Sequence, residues 1–511
     1  MGSFYIENFG CRATQADGAA LESQFLERGL ERARSASDAE IVVLNTCTVT
    51  EGADKDARSS IRRVRRENPG CRILVTGCYA QRAPQELAAL PGVTWVVGNS
   101  HKHLAAEIAT SANCSQTGFV PLTELSGNRD GNVIVGDIFA HTELLAAPVF
   151  EAANERTRPN LKVQDGCDNR CSFCVIPYVR GQSRSLPLER VLAEVRSLVS
   201  AGYREVVISG INLGRWGRDL VVGRSSFVVG EPDSGNLVVT SRGQQPVTDR
   251  ERPTTNDQRL EVLVRAILAE TSLAKLRISS VEPMDWSDEL IEMMAMSSRI
   301  AEHAHVPLQS ASDAVLRRMH RKYRPWHYRE KILKIRRAMP NAAIGADVMV
   351  GFPGETGAEF AETRRMVEEL PFTYLHVFTY SARPGTPAAG HNEQVPVAVA
   401  RSRNQILREI ASAKKSMFMQ QQVGTVVQAI TLRSGDGHFT EALTDNYLKM
   451  KIPGGWESNR WMEVNVARCD GEVLVGRPRR SGTDQPSPQT DVTSKNTQKS
   501  NKIIDLQPFA G

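Results

Sequence analysis

Cys167-Asp-Asn-Arg-Cys171-Ser-Phe-Cys174 places three cysteines in a C-x3-C-x2-C pattern directly after an apolar run. Three thiolates on one tight loop can grip three irons of a four-iron, four-sulfur cluster and leave the fourth iron open. An open iron is where a substrate or cofactor can bind chemically. The alternative, structural zinc, wants four ligands in matched pairs, and no fourth cysteine lies nearby. Cys11, Cys47 and Cys78 repeat the logic at long range. Each follows an expected strand, on a loop led by Gly10, Thr46 or Gly77. In an open parallel sheet the C-terminal strand ends share one edge, so these three thiols are expected to converge on a second cluster. One cysteine so placed reads as a small buried residue; three in equivalent positions read as a metal site. Cys71, Cys114 and Cys469 read as structural or incidental. Nine cysteines, an odd number, argue for metal or catalysis over a disulfide framework.

The elements that must position these residues alternate strand and helix. Residues 1–112 read as an open parallel α/β sheet, with strands at Phe4–Ile6, Ile41–Leu44, Arg72–Val75 and Thr94–Val97 and helices at Ala19–Arg28, Asp54–Arg66 and Pro84–Leu90. Residues 113–155 lack periodicity and read as a connector. Residues 156–416 give six strand–helix units, a partial parallel (β/α)6 barrel. Its strands are expected at Leu161–Gln164, Glu205–Ser209, Leu276–Ser280, His303–Leu308, Ile344–Val350 and Tyr374–Thr379, and its helices at Leu188–Ser200, Leu260–Glu270, Asp288–Met296, Asp313–Met319 with Trp326–Ala338, and Glu359–Glu369. Residues 220–257, rich in Gly, Ser and Pro, read as an inserted loop. Residues 417–478 carry five short strands with Gly turns, a small antiparallel β-barrel. Residues 479–511 read as a disordered tail. The fold class is α/β overall.

The chain of 511 residues is 41% hydrophobic and 24% charged, which excludes a fibrous or wholly disordered protein. No run approaches the length of a membrane-spanning helix. The first residues lack the basic flank and apolar core of a secretory leader, so the cytoplasm is the expected compartment. The net charge of +5 is modest, but it is clustered. Lys55 to Arg72 holds seven Lys/Arg against two acids, and Arg317 to Arg337 holds ten against one Glu. Lys55, Arg58, Arg62 and Arg65 share a helix face that is either solvated or turned toward phosphates. Met417 to Pro478, with six basic and seven acidic residues, is no basic patch.

The C-x3-C-x2-C spacing resembles that of radical S-adenosylmethionine (SAM) enzymes, in which SAM chelates the open iron and is cleaved to a 5′-deoxyadenosyl radical. Parallel barrels keep their sites at C-terminal strand ends. The polar residues there suit a cofactor with ribose, adenine and amino-acid parts, and Asn212 and Gln309 are the expected SAM contacts. Over residues 1–478 the chain resembles the methylthiotransferases. The motifs are Asn45-Thr46-Cys47-Thr48-Val49-Thr50, Val75-Thr76-Gly77-Cys78-Tyr79-Ala80-Gln81, the Cys167 loop through Pro177-Tyr178-Val179-Arg180-Gly181, His305-Val306-Pro307-Leu308-Gln309-Ser310, and Tyr380-Ser381-Ala382-Arg383-Pro384-Gly385-Thr386. Leu443-Thr444-Asp445-Asn446-Tyr447 looks like the family's RNA-binding TRAM module. The resemblance implies two [4Fe-4S] clusters, with the sulfur to be inserted on the one held by Cys11, Cys47 and Cys78. SAM would be chelated at the one held by Cys167, Cys171 and Cys174. It implies a tRNA anticodon stem-loop as substrate and a reductant such as flavodoxin or ferredoxin. A monomer is the expected state. Residues 45–58 look most like the branch acting on N6-threonylcarbamoyladenosine. N6-isopentenyladenosine is the alternative substrate, an aspartate of a ribosomal protein is the target of a third branch, and a non-catalytic metal-containing RNA-binding protein is the reading from another class.

Overall fold

A computed structural model describes residues 2–111, 132–140, 144, 157–220, 259–435 and 438–479. Cys114, residues 221–257 of the expected insertion, residues 480–511 of the tail and most of the connector lie outside the described residues. The first sheet comprises β1 (Ser3–Asn8), β2 (Glu31–Arg32), β3 (Ile41–Thr46), β4 (Arg72–Gly77), β5 (Val93–Gly98) and β6 (Val133–Ile134). All pairs are parallel, in the order β2-β1-β3-β4-β5-β6. Every residue of β3 is buried, as a strand covered on both faces requires. Helices α1 (Arg12–Glu27), α2 (Glu51–Glu67), α3 (Cys78–Arg82), α4 (Pro84–Ala88) and α5 (Ala105–Thr110) follow in chain order. Leu21, Phe25, Ala105 and Ala109 cover one face of the sheet, and Ala57, Ile61, Val64 and Leu87 the other. β6 falls inside the segment read as a connector and extends the sheet by one edge strand.

The central barrel contains β7 (Asn160–Asp165), β8 (Arg184–Ser185), β9 (Glu205–Gly210), β10 (Lys275–Ile278), β11 (His303–His305), β12 (Ala343–Val350) and β13 (Tyr374–Thr379). It forms a four-stranded arc, β10-β9-β7-β8, and a three-stranded arc, β11-β12-β13. A bridge at Leu276 and Ile300 and a bond from the Val281 amide to the His305 carbonyl join them. The six strands expected from sequence are parallel, with β10 and β11 ending at Ile278 and His305, short of the expected Ser280 and Leu308; β8 is an added antiparallel edge. Helices α6 (Ile176–Arg180), α7 (Leu188–Ser200), α8 (Leu260–Glu270), α9 (Asp288–Met296), α10 (Asp313–Arg318), α11 (Pro325–Ala338) and α12 (Gly357–Glu369) belong to this barrel. No helix among the described residues is long and apolar enough to cross a membrane.

Several helices depart from expectation; α3, α5 and α6, of five or six residues each, are absent from the sequence reading because so short a segment carries no full apolar period. α1 begins at Arg12, seven residues before the apolar pattern starts at Ala19, because its first turns bury Thr14 and Asp17 rather than an apolar stripe. α13 (Val397–Gln421), absent from the sequence reading, buries only a thin line of residues, among them Ala400, Leu407, Phe418 and Met419. It leads to β14 (Val426–Gly435), β15 (Phe439–Thr444), β16 (Lys449–Pro453), β17 (Trp461–Asp470) and β18 (Val473–Pro478). These five strands close a barrel in the order β14-β15-β16-β18-β17.

The turn between β15 and β16 docks under the central barrel. Lys275 at the start of β10 pairs with Asp445 at 2.9 Å. Arg277 donates to the Asp445 carbonyl, and the Glu302 amide to its carboxylate. Tyr447, held at φ +67°, lays its ring 4.6 Å from His303, and Arg12 donates to its hydroxyl at 3.2 Å. Removing that ring is expected to cost about 3 kcal/mol, as for other aromatic truncations. Tyr447→Ala should therefore lower the urea midpoint for release of the C-terminal barrel. An unchanged unfolding curve would show that the turn merely lies beside the barrel.

Candidate functional site

The register of the first sheet aligns Asn8 with Asn45, Asn45 with Thr76, and Thr46 with Gly77. Cys11, Cys47 and Cys78 therefore leave the same sheet edge together. Cys11 is the N-cap of α1, and Cys78 is the first residue of α3. The loops are tight. A Cβ at Gly10, which sits at φ +98°, would come within 2.5 Å of the Cys47 Cβ, and one at Gly77 within 2.3 Å of the Thr46 carbonyl oxygen. Burial, reinforced by the neighbouring Cys78 and Cys11, pushes the Cys47 thiol up to about 12. The Cys47 loop is clamped from three sides. Thr48 donates to Asp54 of α2 at 2.6 Å, Arg82 after Cys78 pairs with Asp54 at 3.0 Å, and Arg383 beyond β13 pairs with it at 2.7 Å.

Cys167, Cys171 and Cys174 occupy the loop after β7. The Cys167 amide donates to the Gly181 carbonyl, the Ser172 amide to that of Met319, and the Cys174 amide to that of Cys171. Burial raises Cys167 to about 11 and Cys174 to about 12, with the other thiols of the loop adding to it. Asn212, at the end of β9, directs its amide at the Cys167 sulfur, 3.7 Å away, and its Oδ1 is buried without a partner. Gln309 adopts φ +59° after β11, and its buried Oε1 is also unpartnered. The orphaned Asn212 oxygen beside a thiol triad fits a polar cofactor, and Gln309 offers a second orphaned oxygen at another strand end.

α6, which directly follows Cys174, joins the two triads. Cys78 packs against Val175 and Val179. Asn99 donates to the Val179 carbonyl at 2.7 Å and lies 3.6 Å from the Cys78 sulfur. Arg180 ends the helix in a buried network: it pairs with Asp17 and Asp165, Lys102 pairs with Asp17, and Lys162 with both carboxylates. Three cations against two carboxylates leave one positive charge in excess, and Arg180 lies close enough to Cys78 and Cys11 to be stabilised by their thiolates when a metal group deprotonates them. A four-iron cluster on three thiolates carries about one net negative charge, so the donor set and its surroundings fit such a group.

Residues 3–98 match the family described as uncharacterized protein family UPF0004, and residues 161–367 match the Radical SAM superfamily. The chain is 34% identical over 458 residues to a protein of Bacillus subtilis named threonylcarbamoyladenosine tRNA methylthiotransferase MtaB, covering 89% of this chain and 91% of the relative. It is 32% identical to the Aquifex aeolicus protein of that name, across 90% of this chain and 99% of the relative. A Novosphingobium aromaticivorans protein named tRNA-2-methylthio-N(6)-dimethylallyladenosine synthase is 32% identical over 93% of both chains. The chain belongs to the radical SAM methylthiotransferase family. This methylthiotransferase shares its fold with the radical SAM methyltransferase TsrM of Kitasatospora setae, whose structure with cobalamin and a [4Fe-4S] cluster aligns at a TM-score of 0.51 and 14% identity over 80% of this chain and 84% of that one.

Sequence reasoning missed the network and a further residue, Arg321. Arg321 donates to the Cys171 sulfur at 3.3 Å and pairs with Glu282. The signal available was Asp17, on the same helix face as Leu21; Lys162 and Asp165 sit in a strand whose alternating polar residues read as an ordinary solvent face, although the strand is buried. The Arg-rich face of α2 is partly committed elsewhere. Arg58 donates to the Tyr79 hydroxyl at 2.6 Å, Lys55 pairs with Glu51 at 2.9 Å, and Arg65 binds the Pro69 carbonyl, while Arg62 is exposed.

Burial alone would raise Asp17 and Asp165, but Lys102, Lys162 and Arg180 outweigh it at Asp17, and Arg180 and Lys162 at Asp165, holding both well below the ordinary carboxylate range. Depressed carboxylates contribute stability that is fully present above their unfolded value, about 3.9. It is lost as pH falls below that toward the folded values. Asp17→Asn leaves buried cations short of a partner and should cost about 3–5 kcal/mol at neutral pH. Its stability should also vary less below pH 4 than that of the parent, as read from urea unfolding between pH 7 and 2.5. Equal acid sensitivity of parent and variant would contradict the network's role.

Proposed function

We propose that this methylthiotransferase inserts a methylthio group at C2 of N6-threonylcarbamoyladenosine in tRNA, in the anticodon stem-loop beside the anticodon. The observation that carries the reading is the meeting of two cysteine triads across one short helix, α6. Cys167, Cys171 and Cys174 would hold the cluster at which SAM binds and Cys11, Cys47 and Cys78 the cluster that carries sulfur; when bound, these groups supply the radical and the inserted atom.

The chain's own residues bind, orient and exclude water. Asn212 and Gln309 present unsatisfied polar atoms for SAM. Arg321, tied to Glu282, directs a cation at Cys171. Cys47 and Cys78 are buried while Cys11 is exposed, so the sulfur-carrying site is closed on two sides and meets solvent at Cys11. Several relatives at 31–34% identity carry the threonylcarbamoyladenosine name, and they support that substrate. A one-electron reductant such as flavodoxin or ferredoxin is needed, and a tRNA substrate makes the cytoplasm the place of action.

The C-terminal barrel, neutral by composition, forms one wall of a basic groove. A cavity of about 1270 Å³ runs between it and α13, lined by Arg158, Arg401, Arg408, Lys449 and Lys451 together with Glu409 and Glu441. Such cations position an RNA backbone without reading its sequence. The target adenosine must then be unstacked to reach the cysteines.

Mass spectrometry of tRNA nucleosides from a deletion strain and its complement tests the substrate. The 2-methylthio derivative of threonylcarbamoyladenosine should vanish and return. Loss of the isopentenyladenosine derivative instead would move the enzyme to the other branch. In the purified enzyme, Cys171→Ala should abolish reductive SAM cleavage, whereas Cys47→Ala should spare cleavage and stop sulfur insertion. A Cys47 variant that keeps its barrel cluster yet fails to cleave SAM would contradict this division of labour.

A further inference from the structure

Away from the cysteines, the inner face of the three-stranded arc carries His305 on β11, Asp347 on β12 and His376 on β13. The His305 Nε2 and the His376 Nδ1 each lie 3.4 Å from the same oxygen, Asp347 Oδ1. Among the described residues this is the group of three His, Cys, Asp or Glu whose donor atoms all lie within 4.8 Å of one another. We infer that these three side chains form a binding site for a divalent transition-metal ion, separate from both cysteine triads.

The distances favour coordination over hydrogen bonding. Nitrogen–oxygen hydrogen bonds run to about 3.2 Å. Around a tetrahedral ion with bonds of about 2.0–2.1 Å, neighbouring ligand atoms stand roughly 3.3–3.4 Å apart. The His305 Nε2 is buried without a hydrogen-bond partner. Its other nitrogen, Nδ1, lies 2.6 Å from the Ser280 hydroxyl. With Nδ1–H donating to Ser280, Nε2 presents its lone pair toward Asp347, the arrangement that orients a metal-bound histidine.

The surroundings hold the rings in place. Tyr374 stacks on His305 at 5.9 Å and lies 5.3 Å from His376, and its hydroxyl meets His303 Nε2 at 2.7 Å. Gly345 makes room for it, since a Cβ there would come within 2.1 Å of the Tyr374 ring. His305 is 7% exposed, Asp347 27% and His376 65%, so two ligands are fixed and the third faces the cavity beside α13. Two histidines and one carboxylate leave coordination positions open. Water or an oxygen ligand would fill those positions, reached from the cavity that His376 lines.

The test uses the full-length enzyme with both clusters reconstituted anaerobically, titrated with Co²⁺ alone. One equivalent should bind with visible bands of nitrogen and oxygen ligation and without thiolate-to-cobalt charge transfer. His376→Ala, at an exposed position, and Asp347→Asn should each weaken binding at least about tenfold at unchanged iron and sulfide content. Ser280→Ala, which removes only the orienting partner, should weaken it roughly 10- to 100-fold. Absence of Co²⁺ binding, thiolate charge transfer in the bound spectrum, or unaltered affinity in His376→Ala and Asp347→Asn would overturn the site.

Discussion

Five charged side chains buried between two sheets hold this enzyme's chemistry in register. Asp17 comes from α1, Lys102 from the segment before α5, Lys162 and Asp165 from β7, and Arg180 from the end of α6. All are withdrawn from water. Burial of unpaired ions at such a place would be prohibitive, so the two sheets can meet only where these partners meet. That meeting point lies beside Cys11 and Cys78 on one side and one short helix from Cys174 on the other. The constraint thus sets the placement of one cysteine triad relative to the other. A surplus positive charge in the network also requires an anion nearby, which ligated thiolates provide.

Two further contacts lock the same arrangement. Arg383, from the chain beyond β13, reaches Asp54 and the Thr48 carbonyl next to Cys47. At the opposite end of the central barrel, Asp445 and Tyr447 close its base, with Arg12, the neighbour of Cys11, bonded to Tyr447. The turn that sequence reading associates with RNA is therefore also a structural plug.

Much of this was legible from the sequence because it rests on periodicity and spacing. The expected helices Leu188–Ser200, Leu260–Glu270 and Asp288–Met296 match α7, α8 and α9, each with a distinct apolar stripe. The convergence of Cys11, Cys47 and Cys78 followed from strand-end geometry alone. What was hidden is polar and long-range. The buried face of α1 near Asp17 and Lys162 inside β7 break the apolar pattern because their partners lie in another part of the chain. α13 was invisible because most of its surface is wet. The basic groove was hidden because Arg401 and Arg408 sit on a helix while Lys449 and Lys451 sit on a strand, so no local run of charge announces it.

The central claim is that Cys11, Cys47 and Cys78 hold a cluster of their own, independent of the barrel loop. The direct measurement is the iron and sulfide content, with Mössbauer spectra, of the enzyme carrying Cys167→Ala, Cys171→Ala and Cys174→Ala together after anaerobic reconstitution. The account predicts about four irons and four sulfides per chain with the spectrum of a single [4Fe-4S] cluster. A folded triple variant that retains no cluster would contradict it.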